Sequence, residues 1–208
     1  MVEQYLRRIE TRIFRIDTDI GEELDELARK DKVNVNVIAN EALRKHVEYD
    51  SYAEKFGLVT ISKDLLKTLF GLISDEEARA LGKKSGEQTG VALVSFWFKK
   101  FNPENVIRSF ERIASHYNRN FKFEHSNNGQ EHLLILRHDS GPRASAFYAE
   151  SVKAMFALLN VKVELAESED QVVAKLLIPE QERATITEAP IPVELVQIYG
   201  YQPHRRLV

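Results

Sequence analysis

Thr11, Ile13 and Arg15 fall on alternate positions of the short stretch TRIFRID, with Arg12 between them. Successive residues of a strand point to opposite faces. An extended chain here therefore puts Thr11, Ile13 and Arg15 on one side and Phe14 and Ile16 on the other. The first side carries recognition chemistry. A guanidinium donates a bidentate pair to guanine O6 and N7, and threonine bonds a base edge or touches a thymine methyl. Ile13 can read a base only by apolar contact. Arg7, Arg8, Arg12 and Arg15 gather positive charge at or before the stretch, where it would meet a phosphate backbone. Asn34, Val35 and Asn36 then stand at the start of a predicted helix, whose free backbone amides suit a phosphate.

Other residues suggest different chemistry. His125 and His132 flank Asn128-Gly129, a hairpin signal. With a two-residue turn they lie directly opposite each other, on the face of Phe121, Phe123, Leu134 and Leu136, with His138 further along. Two cross-strand imidazoles are half of a zinc or nickel site; a pair at a hairpin tip is usually solvated or hydrogen-bonded, and no metal is assigned. Gly82, Gly86 and Gly90 recur every fourth residue of a predicted helix, each costing about 1 kcal/mol against alanine. Either the helix packs closely on another, or the missing side chains leave a ligand cavity. Phe96, Trp97, Phe147, Tyr148 and Phe156 are the candidate walls, and a small hydrophobic effector is the ligand such walls would take. Around Gly141, Asp139 or Ser140 is expected to cap the following helix and Arg143 to hold a loop carbonyl. No nucleophile–base pair, paired catalytic carboxylates or phosphate loop is visible, so neither an enzyme nor a cofactor is expected.

The elements that position these groups follow from periodicity and caps. Asp17, Thr18 or Asp19 can cap a helix carrying Ile20, Leu24, Leu27 and Ala28. Asn34 or Asn36 can cap a second one, with Val37, Ile38, Ala42, Leu43 and Val47 as its apolar stripe. A lone short strand leaves its edges unpaired, and both stripes lack a cover, so the economical partner is a second copy of the chain. Beyond about residue 50 a second domain begins. Ser62 opens a helix, and Ser74 with Glu77 forms a capping box for a long helix towards Phe101. Asn102-Pro103 starts a helix to about Tyr117. Hairpins follow at Phe121–His125 with His132–Leu136 and at Val161–Leu165 with Val172–Ile178, with a helix from Gly141-Pro142 to Leu159 between them. The expected fold class is α+β, with helices packed on an antiparallel sheet. Domains are expected at residues 1–50 and 51–179, followed by an extended tail over 180–208 that can hold one strand near Val193–Tyr199.

The strand-to-second-helix spacing over residues 11–49 resembles the ribbon-helix-helix family of Arc, MetJ and CopG repressors. That resemblance implies a dimer whose paired strands enter the major groove, with Thr11, Ile13 and Arg15 as base readers. Two positions depart from the family pattern: Ile13 replaces a usual polar reader, and Arg12 falls where an aliphatic side chain is normally buried. The later segments ARALGKKSGEQTG and HDSGPRASAFYAESVKAMFALLNVKVEL resemble the 4-vinyl-reductase-type sensor domains related to TRAPP subunits. That resemblance implies an input domain for a small molecule. Its cysteine-ligated zinc cannot occur in a chain without cysteine.

Bulk composition sets the limits. The chain has 208 residues, 43% of them hydrophobic, and a net charge of −3. It can build a core but is not a general polyanion binder, so DNA contact must come from a local basic surface. The absence of cysteine and of an apolar signal in MVEQYLRRIE points to the cytoplasm, and no run reaches membrane-spanning length. The expectation is a homodimeric, or further tetramerised, sequence-specific transcription regulator that binds double-stranded DNA and carries a sensing or oligomerisation domain. The alternative is a dimeric scaffold or ligand-binding protein that uses the first domain only to dimerise.

Overall fold

The structure, a computed structural model, describes residues 10–129 and 131–178. The chain divides into two compact units, Met1–Glu48 and Tyr49–Val208. The expected tail over 180–208, with its strand near Val193–Tyr199, lies outside the described residues, as do Arg7 and Arg8.

In the first unit, residues 10–17 form neither helix nor strand. A strand is defined by its ladder bonds, and among the described residues no strand pairs with this segment. Helix α1 (Thr18–Asp31) ends at Lys32, which adopts the left-handed conformation at φ 55° and returns its amide to the Ala28 carbonyl. This closure reverses the chain within three residues. Helix α2 (Val35–Lys45) follows, capped by the Asn34 side chain, which accepts from the Asn36 amide at 2.8 Å.

The second unit begins with α3 (Ser51–Phe56) and α4 (Lys63–Gly71), the latter capped by Ser62. The capping box opens α5 (Asp75–Lys84), and its two bonds from Ser74 hold the Glu77 carboxyl below its ordinary pKa. From α5 the helix passes through a π-helical stretch, Ser85–Gly90, into α6 (Val91–Phe98). Helix α7 (Pro103–Ser109) starts at the Asn102 cap and continues as a second π stretch, Phe110–Tyr117. Strands β1 (Lys122–Asn127), β2 (Glu131–Arg137), β3 (Lys162–Glu167) and β4 (Gln171–Leu177) make an antiparallel sheet in the order β1-β2-β4-β3. Between the hairpins lies α8 (Pro142–Ala157). The protein is thus α+β, with a four-stranded antiparallel sheet. No helix among the described residues is long and apolar enough to cross a membrane.

Alternation sets the core. Leu134 and Leu136 of β2 and Val172, Ala174 and Leu176 of β4 are buried, and they share one cluster with Val152, Met155 and Phe156 of α8. The opposite face carries the ion pairs Arg137–Glu124 and Lys175–Glu131.

The glycine stripe has a packing cause. A Cβ on Gly82 would stand 2.2 Å from the Phe147 carbonyl oxygen, and one on Gly86 2.5 Å from that of Ser151. At Gly90 it would meet the Met155 sulfur at 2.9 Å. The volume freed by the missing side chains is therefore filled by α8 and leaves no cavity.

Two local expectations change. The cap of α8 is Gly141, at φ 83° and ψ 177°, a conformation that side chains avoid; neither Asp139 nor Ser140 provides it. Asp139 instead pairs with Lys63 at 3.3 Å. Arg143 holds a helix-end carbonyl rather than a loop one, donating to Gly71, the last residue of α4, at 2.7 Å.

Candidate functional site

In the first unit, Thr11, Arg12, Ile13 and Arg15 are all exposed, Ile13 at 94%. Arg12 pairs with Glu10 at 2.6 Å. At the start of α2 the three expected phosphate donors are not equivalent. The Asn36 amide is engaged by the Asn34 cap, while Val35 is half-buried and Asn34 exposed. An open concavity of about 570 Å³ adjoins these residues, lined by Asp25, Ala28, Arg29, Lys32, Val33, Asn34 and Val35. Arg29 and Lys32 therefore flank the helix start with positive charge. Sequence reading gave neither a role, although the turn that carries them is closed locally by bonds to the Ala28 carbonyl; the signal was the run RKDK before the asparagine cap.

The unit has little interior of its own. Among its described residues only Ala28 is buried. Phe14, Ile16, Ile20, Leu27, Val37, Leu43 and Val47 are each exposed on the segment and helices that should build a core.

In the second unit, the expected ligand walls do not come together around a cavity. Trp97 packs with Tyr49, Tyr52 and Phe56. Phe147 instead packs on Phe70, and Tyr148 lies edge-on to Phe121 at 5.3 Å. With Gly82, Gly86 and Gly90 covered by α8, this set is core packing.

An open pocket of about 370 Å³ lies elsewhere, lined by Asn102, Pro103, Glu104, Ile107, His125, Asn127, His132 and Ile178. It contains the histidine pair. His125 pairs with Leu134 and His132 with Asn127, so the register is displaced by two residues from the direct opposition expected. The hairpin loop is longer than two residues, closing with the Asn128 amide donating to the Glu131 carbonyl. The displacement is even, so both rings stay on one face as diagonal neighbours. His125 Nε2 and His132 Nδ1 are 2.9 Å apart and their planes differ by only 10°. Burial holds the His125 pKa below its ordinary value, partly countered by Glu111.

A third cluster joins β2, α8 and the β3–β4 turn. The enclosed His138 places Nε2 3.0 Å from Ser145 Oγ and Nδ1 3.7 Å from Asp170 Oδ1. Those residue types match a hydrolytic triad, but the hydrogen bonds run the other way. Nδ1 accepts from the Ser140 amide at 3.3 Å, so Nε2 carries the proton and donates to Ser145. The Ser145 hydroxyl in turn donates to the Glu169 carbonyl at 3.1 Å. An imidazole donating to serine cannot take its proton, and Ser145 is buried. The cluster ties two loops together.

Burial holds the His138 pKa below its ordinary value, opposed by Asp170 and then Asp139. The neutral form is the one the fold prefers, so His138 contributes its full stability above its unfolded pKa of about 6.5 and loses it as pH falls towards the depressed folded value. Thermal melts should therefore drop between pH 7.5 and 5. His138→Leu should flatten part of that slope while costing about 1–3 kcal/mol, because the Ser140 amide loses its acceptor and the Ser145 hydroxyl keeps only its bond to the Glu169 carbonyl. An unchanged slope in the variant would refute this assignment.

No family model, curated protein or solved structure matches the chain.

Proposed function

We propose that the protein is a homodimeric, sequence-specific DNA-binding regulator whose first unit is a ribbon-helix-helix. The observation that carries this reading is the missing interior of that unit. Two helices and a preceding segment expose an apolar set with one buried residue between them. A second copy laid across the two-fold axis gives both stripes a core and gives residues 11–16 a strand to pair with. That pairing turns Phe14 and Ile16 inward and leaves Thr11, Ile13 and Arg15 outward on a two-stranded ribbon. Arg29 and Lys32, beside the start of α2, would meet phosphates and set the ribbon's register on the duplex. The second unit serves sensing or oligomerisation. Its aromatic clusters are closed, so a ligand would enter by the hairpin pocket.

The acidic run Glu22, Glu23, Asp25 and Glu26 on α1 favours the alternative, a dimeric scaffold that does not touch DNA. Fluorescence anisotropy against selected duplexes across a salt series separates the two. Arg15→Ala should lose about 1–3 kcal/mol, and with it sequence preference, if its guanidinium makes a bidentate base contact. Lys32→Ala should weaken all sequences alike and reduce the salt slope by about one. Wild-type protein that binds no duplex at low salt would leave the scaffold reading standing.

A further inference from the structure

We propose that His125 and His132 form a bidentate site for a first-row divalent transition-metal ion, facing the pocket between the β1–β2 hairpin and α7. Both ligands belong to the second unit, so the site stands apart from the DNA reading.

The facing ring nitrogens are 2.9 Å apart. Two imidazole nitrogens, each about 2.0–2.1 Å from one ion and at right angles, are separated by about 2.8–3.0 Å. The pair already has the spacing of two adjacent corners of a square or octahedral coordination shell. The ring centroids are 5.1 Å apart with planes within 10°, so the rings lie edge to edge and share a proton along the line between them. Metal binding needs both facing nitrogens unprotonated, so the shared proton leaves the line between the rings and the donor ring shifts to its other tautomer, with no net proton lost from the neutral pair. His125 then carries its one proton on Nδ1 and His132 on Nε2, and each ring turns its deprotonated nitrogen towards a common apex. The space for that apex exists, since the pocket of about 370 Å³ is lined by both rings.

The ladder fixes the chelate. His125 and His132 are diagonal neighbours on one face, held through the Leu134 and Asn127 pairings on either side. Linking the two ligands this firmly makes the second nitrogen's binding intramolecular. Local charge also favours a cation. Glu104 lines the pocket, and Glu111 acts electrostatically on His125.

The donor set selects the metal class. Imidazole suits copper, nickel and zinc, whereas calcium and magnesium require oxygen ligands. Among the described residues no group of three or more His, Cys, Asp or Glu is gathered on one ion site. Water must complete the shell, so the ion exchanges freely, and affinity follows the order Cu²⁺ above Ni²⁺ and Zn²⁺.

The experiment titrates full-length, tag-free protein with CuCl₂, NiCl₂, ZnCl₂ and MgCl₂ by calorimetry, beside His125→Ala, His132→Ala and the control His116→Ala. One equivalent of Cu²⁺ per chain is expected, with no heat from Mg²⁺. Either pocket substitution should weaken Cu²⁺ by about tenfold or more, and His116→Ala should leave it unchanged. Electron paramagnetic resonance of the wild-type copper complex should show two coupled imidazole nitrogens, a reading independent of how the variants fold. Binding that survives both substitutions, or a copper signal without two such nitrogens, would overturn the site.

Discussion

Gly82→Ala should destabilise the second unit, although alanine is the better helix former. The gain in helix propensity is about 1 kcal/mol. Against it stands a methyl group whose carbon would lie 2.2 Å from the Phe147 carbonyl oxygen and 2.9 Å from the Phe147 Cα. Those atoms are backbone of α8, which is itself packed on β3 and β4, so they cannot rotate away as a side-chain end would. Overpacking of this kind costs about 1–3 kcal/mol, and backbone contact places this site at the upper end. The net loss should be about 2 kcal/mol, a fall of about 4–8 °C in Tm. Gly71→Ala supplies the opposite sign. Nothing lies within 4 Å of a Cβ there, and the bond from Arg143 goes to the Gly71 carbonyl, which survives the change. It should raise Tm by about 2–4 °C. Differential scanning calorimetry of both variants tests the pair, and a Gly82→Ala protein as stable as wild type would show that α5 and α8 do not cross this closely.

Leu27→Glu should abolish both dimerisation and DNA binding. Leu27 is 42% exposed in the single chain, on the α1 face that the proposed second copy covers. Placing a carboxylate there buries an unpaired charge at the centre of the dimer, a penalty of several kcal/mol incurred by each protomer. The described part of the first unit has only Ala28 as interior, and a segment of this size has too little core to persist alone. Light scattering should report a monomer, DNA affinity should fall by more than about a hundredfold, and the second unit should still melt cooperatively because its core is its own. Glu23→Gln, on an exposed position of the same helix, should remain dimeric. A Leu27→Glu protein that is still dimeric and still binds DNA would remove the ribbon-helix-helix assignment. One that is dimeric without DNA binding would place the dimer interface elsewhere.

The two outcomes also separate the units. A glycine variant that lowers only the second transition and a leucine variant that removes only the first would show that each unit folds on its own contacts. The copper experiment is independent of both, because its ligands belong to one hairpin of the second unit.

The sequence by itself determined what rests on bonds between near neighbours. Ser62, the Ser74–Glu77 box and Asn102-Pro103 mark helix starts because a cap needs only a side-chain oxygen and an amide two or three residues on. Both hairpins, the α+β class and the common face of His125 and His132 follow from alternation of period two, which survives a register error of two residues. The tertiary structure decided whatever depends on distant chain. It alone shows that α8, some 60 residues beyond Gly82, fills the glycine stripe and that Trp97 joins Tyr49 and Tyr52, apart from Phe147 and Tyr148. The hairpin register was set by the loop bond from Asn128 to Glu131, which composition does not encode. The direction of the His138–Ser145 bond was fixed by the Ser140 amide. Side-chain type names the chemistry a residue can do; only packing decides which atoms face each other and which proton lies between them.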